Sequence, residues 1–176
     1  MQKFIIIGAL PMIAACNTMS ATNTDYANVV ATAQLMQAGE NVGILTLTQA
    51  GSDVKMVVSV SGLQTGEYGM HFHETGKCDG PDYKTAGAHW NPSGKQHGLQ
   101  NPQGSHAGDL PNLMATTGSV ARTEQQLSSI QLTGGSSLID ADGAAFIIHA
   151  KPDDNKTDPS GNSGDRKICG VIKLTG

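Results

Sequence analysis

Residues 41–61 read NVGILTLTQAGSDVKMVVSVS, two apolar runs separated by small and polar residues. In the first run, 41–48, apolar side chains such as Val42 and Ile44 sit among small polar ones. Successive side chains of a β-strand point to opposite faces, so this alternation indicates a half-buried strand. The second run, 54–61, is rich in valine, a β-branched residue that favours strands. The two runs therefore predict β-structure in this part of the chain.

The same kind of signal recurs along the whole sequence. No segment keeps a helical period over three turns, although 124–130 fits a helix or a strand equally well. With 22 glycines and only seven aromatic residues, the chain is predicted to be all-β, a β-sandwich or a flattened barrel. The predicted strands are 28–35, 41–48, 54–61, 70–73, 119–122, 128–132, 144–149 and 168–174.

Two stretches interrupt this pattern of short strands. Residues 74–118 and 150–167 are both long and rich in glycine, proline, asparagine or aspartate. Loops of this length in a compact domain are usually functional or disordered. They contain every candidate ligand that lies outside the predicted strands, so we predict two long functional loops.

The N-terminus has the features of an export signal. Met1-Gln2-Lys3 precedes the apolar run 4–15, FIIIGALPMIAA, which is too short and too interrupted to span a bilayer comfortably as a helix. The sequence therefore predicts a signal peptide over residues 1–15. Residues 13–16, IAAC, resemble a bacterial lipobox, in which Cys16 would be lipidated; cleavage by the ordinary signal peptidase is the alternative.

These features predict a location and a domain organisation. Lipidated Cys16 would begin a flexible tether, 16–27, followed by one domain, 28–176. We expect a bacterial periplasmic protein held to a membrane by its lipid, and Asn17 favours the outer membrane. Without residues 1–15 the chain has ten basic and 15 acidic side chains, a net charge of −5. This charge, with no basic run, argues against a nucleic-acid partner.

The three cysteines fit an exported protein. If Cys16 carries lipid, Cys78 and Cys169 remain as a pair that an oxidising compartment allows to form a disulfide. Two buried free thiols are the alternative. A bridge closing a loop of this length would stabilise the fold by roughly 4–5 kcal/mol.

The six histidines form the most informative pattern. Five of them fall within residues 71–106, and the sixth, His149, ends an apolar strand. His71 and His73 flank one residue on a predicted strand, so both side chains point to one face. Neutral imidazole is a common ligand for copper and zinc. The histidines therefore predict an imidazole-rich metal centre. Its candidate residues are His71, His73, His89, His97, His106 and His149, with Asp109 and Asp153 nearby.

With these motifs, residues 28–176 resemble the copper/zinc superoxide dismutases of the bacterial periplasmic kind. The resemblance implies an all-β Greek-key flattened barrel or sandwich of immunoglobulin-like architecture. It also implies one copper and one zinc ion per chain and dismutation of superoxide to dioxygen and hydrogen peroxide, protecting the periplasm. The segments that carry it are HFHE at 71–74 with Gly76 and Cys78, GAHWNP at 87–92, HG at 97–98, HAGDLP at 106–111, IH at 148–149, GNSGDR at 161–166 and CGVI at 169–172.

The resemblance also assigns roles to residues. His89 would be shared by both metals, and Asp153 would bond the free ring nitrogens of His71 and His97. Arg166 would attract the substrate anion, with His89 supplying a proton. The Cys78–Cys169 bridge would tie the copper-side loop to the barrel. The implied copper ligands are His71, His73, His89 and His149, and the implied zinc ligands are His89, His97, His106 and Asp109.

Other readings remain open from the sequence. A non-enzymatic periplasmic protein that binds or handles copper and zinc on the same fold is the main alternative, and a zinc-sequestering surface lipoprotein is another. Retention of Asp153 and Arg166 favours the enzyme. The motifs do not decide between a monomer and a possible homodimer. They also leave open which lysine steers the anion, the candidates being Lys77, Lys84, Lys151, Lys156 and Lys167.

Overall fold

The computed structural model describes residues 29–175. The predicted signal peptide, Cys16 and the tether lie outside these residues. Within them no helix is long and apolar enough to cross a membrane. A 3-10 turn, Lys84–Ala86, is the one helical element in this part of the chain. The strands are β1 Val29–Gln37, β2 Glu40–Ala50, β3 Asp53–Val60, β4 Gly66–His73, β5 Asp109–Ala115, β6 Ala121–Leu127, β7 Ala144–His149 and β8 Arg166–Leu174.

The eight strands form one antiparallel sheet in the order β5-β4-β7-β8-β1-β2-β3-β6. The two edge strands, β5 and β6, approach each other, so the sheet curls into a nearly closed barrel. The connection from β6 to β7 carries the chain to the other side of the sheet, where β7 lies between β4 and β8. The predicted all-β barrel is therefore confirmed.

The hydrophobic core of the barrel is built from side chains of the strands that the sequence indicates most clearly. Leu45 and Leu47 of β2 are fully buried, whereas Ile44, on the opposite face of the strand, is 39% exposed. Phe72 of β4 and Phe146 of β7 meet inside with ring centroids 5.8 Å apart. Because β4 and β7 end in histidines, this packed core fixes the base from which the histidine side chains project.

One loop prediction and one strand prediction are wrong. The long loop predicted over 74–118 contains β5, where Leu110 and Leu113 are buried. Pro111 interrupts its hydrogen-bonding pattern, which an edge strand tolerates. Conversely, residues 128–132 do not form a strand, although Ile130 and Leu132 are buried. Leu132 instead donates its N–H to the Gln49 side chain at 2.6 Å, so this loop covers the end of the barrel.

Cys78 and Cys169 form a disulfide across 91 residues of sequence. Cys169 lies on β8, and Cys78 lies in the loop that follows β4. Tyr83 and Ala86 from that loop pack with the bridge, and Ala145 and Ile147 of β7 complete this second apolar cluster on the outer face of the sheet. The disulfide and the cluster together hold the first half of the long loop against β7 and β8.

Candidate metal centre

The ends of two neighbouring strands hold three histidines together. His71 and His73 close β4, and His149 closes β7, which pairs with β4. His89 lies in the loop and forms an isolated bridge with His73. All four side chains are buried, and one ring nitrogen of each lies within 4.8 Å of those of the other three. Four imidazoles therefore converge on one point.

One ring nitrogen of each strand histidine is held by the protein, which leaves the other free. His73 Nδ1 is 3.0 Å from the Gly87 carbonyl, and His149 Nδ1 is 3.0 Å from the Gly164 carbonyl. His71 Nε2 is 2.6 Å from Asp153 Oδ2. The opposite nitrogens are buried without a hydrogen-bond partner among the described residues: His71 Nδ1, His73 Nε2 and His149 Nε2. Burying a polar nitrogen without a hydrogen-bond partner lowers the stability of the folded protein. A metal ion placed between these three nitrogens would provide a ligand bond for each of them.

A second group surrounds one oxygen of Asp109. Its Oδ1 lies 3.2 Å from His89 Nδ1, 3.0 Å from His97 Nδ1 and 3.3 Å from His106 Nδ1. Although they lie this close to Oδ1, Nδ1 of His97 and Nδ1 of His106 have no well-formed hydrogen bond among residues 29–175. Tetrahedral zinc with bonds of about 2.0–2.1 Å separates its ligands by about 3.3 Å. The spacing therefore fits a tetrahedral ion.

The Asp109 carboxylate is itself held in place by the backbone. Its second oxygen, Oδ2, accepts the N–H groups of Gly98 and His106 at 2.9 and 3.0 Å. These bonds leave Oδ1 directed at the three imidazoles. Burial would raise the pKa of Asp109, but the close contacts with His89 and His97 and the bond from the Gly98 N–H together lower it well below its usual value. The group is therefore an anion, the form in which a carboxylate binds a metal.

Asp153 joins the two groups. Its carboxylate contacts His71 Nε2 at 2.6 Å and His97 Nε2 at 3.0 Å. Asn155 donates its backbone N–H to the same carboxylate at 2.6 Å. Gly161 packs against it with φ +62°, and a side chain at that position would collide with the carboxylate. One buried carboxylate thus orients one histidine of each group.

Burial lowers the pKa of the strand histidines, whereas two carboxylates raise that of His97. Burial lowers the pKa of His71 to about 3, of His73 to about 2 and of His149 to about 4. These imidazoles are neutral near pH 7, as metal ligands must be. Burial also lowers the pKa of His97, but Asp109 and Asp153 outweigh it and raise the value to about 9. A metal at His97 must therefore displace a proton.

Arg166 lies beside the first group. Its Nη1 donates to the Tyr83 carbonyl at 2.7 Å and its Nη2 to the Gly87 carbonyl at 2.6 Å. The half-buried guanidinium lines an open pocket with Lys84, whose ammonium pairs with Asp82 at 3.0 Å. Of the five lysines left open as candidates for steering the anion, Lys84 is the one that lines this pocket. A small anion entering here meets a fixed positive charge.

The structure brings together every side chain that the sequence indicated for the centre, within the described residues. His71 lies close enough to offer a ring nitrogen to either group. The ligand atoms of His71, His89, His97 and Asp109 all lie within 4.8 Å of one another, whereas His106 is not part of that closest set. Cys16 lies outside the described residues. Sequence reasoning missed the carbonyl groups of Gly87, Gly164 and Tyr83, which orient two histidines and the arginine. Every residue has a carbonyl, so the only available signal was the glycine-rich character of these loops.

The sequence matches known proteins over most of its length. Residues 41–172 match the family described as copper/zinc superoxide dismutase (SODC). Superoxide dismutase [Cu-Zn] 1 of Aquifex aeolicus is 44% identical over 140 residues, covering 78% of this chain and 83% of that protein. Superoxide dismutase [Cu-Zn] of Caulobacter vibrioides is 43% identical, covering 77% and 80%.

A solved structure has the same fold. The crystal structure of a SOD-like protein from Bacillus subtilis superposes with a TM-score of 0.76 at 37% sequence identity. The match covers 80% of this chain and 96% of that one. Fold, sequence and the geometry of the histidines therefore all indicate the same protein family.

Proposed function

The chain belongs to the copper/zinc superoxide dismutase family, and we propose that it converts superoxide to dioxygen and hydrogen peroxide. In the balanced reaction two superoxide anions and two protons give one molecule of each product. The observation that carries the proposal is the set of buried ring nitrogens that have no partner within residues 29–175 and are directed at two adjacent points. An imidazole-rich set of this kind suits copper and zinc.

We assign copper to the group made of His71, His73, His89 and His149, and zinc to the group around Asp109. For zinc, His106 is preferred over His71 as the fourth ligand beside His89, His97 and Asp109. His71 Nε2 is already bonded to Asp153, whereas His106 Nδ1 is unpartnered and 3.3 Å from Asp109 Oδ1. His89 is then the residue common to both sites.

Copper bound in the first group supplies one-electron chemistry between Cu(II) and Cu(I), and zinc in the second supplies charge without redox chemistry. His89 presents Nδ1 to Asp109 and its other edge to the first group. Its Nε2 can therefore hold a proton whenever that atom is free and pass it to the reduced substrate. Asp109 keeps the ring in place during this transfer because its Oδ1 stays beside Nδ1 at 3.2 Å.

Arg166 binds and orients the substrate in this proposal. Two of its five N–H donors are occupied by carbonyl groups, which fixes the plane of the guanidinium. The remaining donors are available to a small anion in the pocket. The chain carries a net charge of −4, so the substrate is repelled globally and needs this local positive field.

The experiment that tests the function is metal reconstitution with an activity readout. Metal-free protein is titrated with zinc, then copper, and both metals are quantified per chain. We expect one of each, and superoxide removal that appears only with copper. A protein that binds both metals but removes superoxide no faster than free copper would be the non-enzymatic metal-binding protein instead.

Replacing Asp153 with asparagine is expected to weaken zinc binding by about 10- to 100-fold. An amide oxygen can accept one of the two ring N–H groups, but its NH2 cannot accept the other, and the negative charge is lost. Competition with a chromophoric chelator measures the affinity. The control is Asp154→Asn, because Asp154 bonds only loop groups such as the Thr157 N–H and the Asn162 side chain. Equal zinc affinity in Asp153→Asn and the unmodified protein would refute this role.

We also propose that the protein works in the bacterial periplasm, anchored by lipid on Cys16. The supports are the signal-like residues 1–15, the IAAC sequence and the disulfide, which suits an oxidising compartment. Fractionation of cells expressing the full chain and the Cys16→Ser variant tests this. We expect only the unmodified protein in the membrane fraction, and equal recovery of both in the soluble fraction would contradict the anchor.

A further inference from the structure

The loop between β7 and β8, residues 150–165, packs closely on the backbone next to His97. Gly98 has φ +113°, and a side chain there would collide with the Asn155 carbonyl. The Asn155 carbonyl also accepts the N–H of Gln100 at 2.9 Å. The loop that supplies Asp153 therefore also lies against the segment that carries two histidines of the Asp109 group.

A second carboxylate of this loop, Asp158, reaches the same histidines. Its Oδ1 accepts the backbone N–H of His97 at 2.6 Å. The same oxygen lies 3.9 Å from Nε2 of His106, on the side of the ring away from Asp109. The Asp158 side chain is half exposed, so it approaches the centre from the solvent side.

We propose that Asp158 is a positioning residue for the zinc site, holding His97 through its backbone and His106 through its charge. The inference rests on the proposed zinc assignment. At 3.9 Å the contact with His106 is longer than a direct hydrogen bond, so the carboxylate acts electrostatically. A negative charge opposite Nε2 favours the tautomer with its proton there, which leaves the Nδ1 lone pair for the metal.

Asp153 and Asp158 then each orient a different zinc histidine. Asp153 faces Nε2 of His97, and Asp158 faces Nε2 of His106. The outer nitrogens of both histidines that serve zinc alone are thus met by carboxylates from one loop. His89 needs no such partner, because its outer edge faces the first group.

Two substitutions separate the two contacts of Asp158. Asp158→Asn keeps an oxygen that can accept the His97 N–H but removes the charge opposite His106. Asp158→Ala removes both. We expect zinc affinity, measured by chelator competition, to fall about tenfold in Asp158→Asn and further in Asp158→Ala. Copper affinity, measured on the same preparations, should stay within about twofold, because the histidines that Asp158 contacts within the described part of the chain are His97 and His106, which are not assigned to copper.

The control is Asp154→Asn, in the same loop, with its bonds confined to loop residues. Zinc affinity within about twofold of the unmodified protein in both Asp158 variants would overturn the inference. So would an equal loss of copper and zinc, or an equal zinc loss in Asp154→Asn, since either shows general loosening of the loop. If Asp158→Ala does not fold, Asp158→Asn decides alone. An unmodified protein that binds no zinc would refute the proposed function itself.

Discussion

Replacing Arg166 with alanine is expected to lower the rate constant for superoxide removal by about 10- to 100-fold, with copper and zinc contents unchanged. The guanidinium is the fixed positive charge beside the first histidine group, and it contacts carbonyl groups rather than any proposed ligand side chain. Its loss removes the attraction and the orientation of the anion but leaves the ligand sets intact. Stopped-flow measurement of superoxide decay over a range of ionic strengths gives the rate.

The salt dependence separates this role from a structural one. Charges are screened over about 10 Å at 0.1 M salt, so the rate of the unmodified protein should fall as salt rises. The Arg166→Ala variant should respond less steeply. Arg122→Ala is the matched control, because Arg122 is the other arginine of the chain, exposed on β6 beside Glu124. An unchanged rate in Arg166→Ala, or an equal loss in Arg122→Ala, would refute the role.

Removing the disulfide by Cys78→Ser is expected to lower the free energy of unfolding of the metal-free protein by about 4–5 kcal/mol. The bridge spans 91 residues, so it restricts the unfolded chain strongly. Urea unfolding in the presence of a chelator measures the effect without the contribution of bound metals. The unmodified protein under reducing conditions should match the variant.

The same substitution should also slow superoxide removal after metals are restored. Tyr83 and Gly87, whose carbonyl groups hold Arg166, belong to the loop that the bridge fastens to β8. Loosening this loop lets the guanidinium turn away from the pocket. If Cys78→Ser changes the free energy of unfolding by less than about 1 kcal/mol, the prediction is contradicted, and the apolar cluster around Tyr83 holds the loop without the bridge.

The strands could be predicted where burial of one face dominates the sequence. β2 and β3 pair in register from Gly43 with Val60 to Ala50 with Asp53, and their alternation is visible in the residues themselves. β5 was not predictable in this way, because Pro111 and Asn112 resemble loop residues and its pairing with β4 is a long-range property. Residues 128–132 show the reverse: apolar side chains can be buried by a loop that covers a barrel end.

The candidate site was predictable as a set of side chains, but not as a geometry. Histidine, aspartate and arginine carry their chemistry in the residue type, so His89 or Arg166 can be singled out in the sequence. The groups that orient them are largely backbone carbonyls, at Gly87 and Gly164, which no residue type reveals. Asp158 was equally hidden, since its two contacts depend on how the loop after β7 folds over His97.

The most direct test of the central claim is superoxide removal by the protein loaded with one copper and one zinc, compared with His149→Ala prepared identically. His149 Nε2 is one of the buried unpartnered nitrogens, and it belongs to the first group alone. We predict rapid, copper-dependent removal by the unmodified protein and a rate near that of free copper for the variant, which should retain zinc. Equal rates in both proteins, or no activity above free copper in the fully loaded protein, would contradict the account.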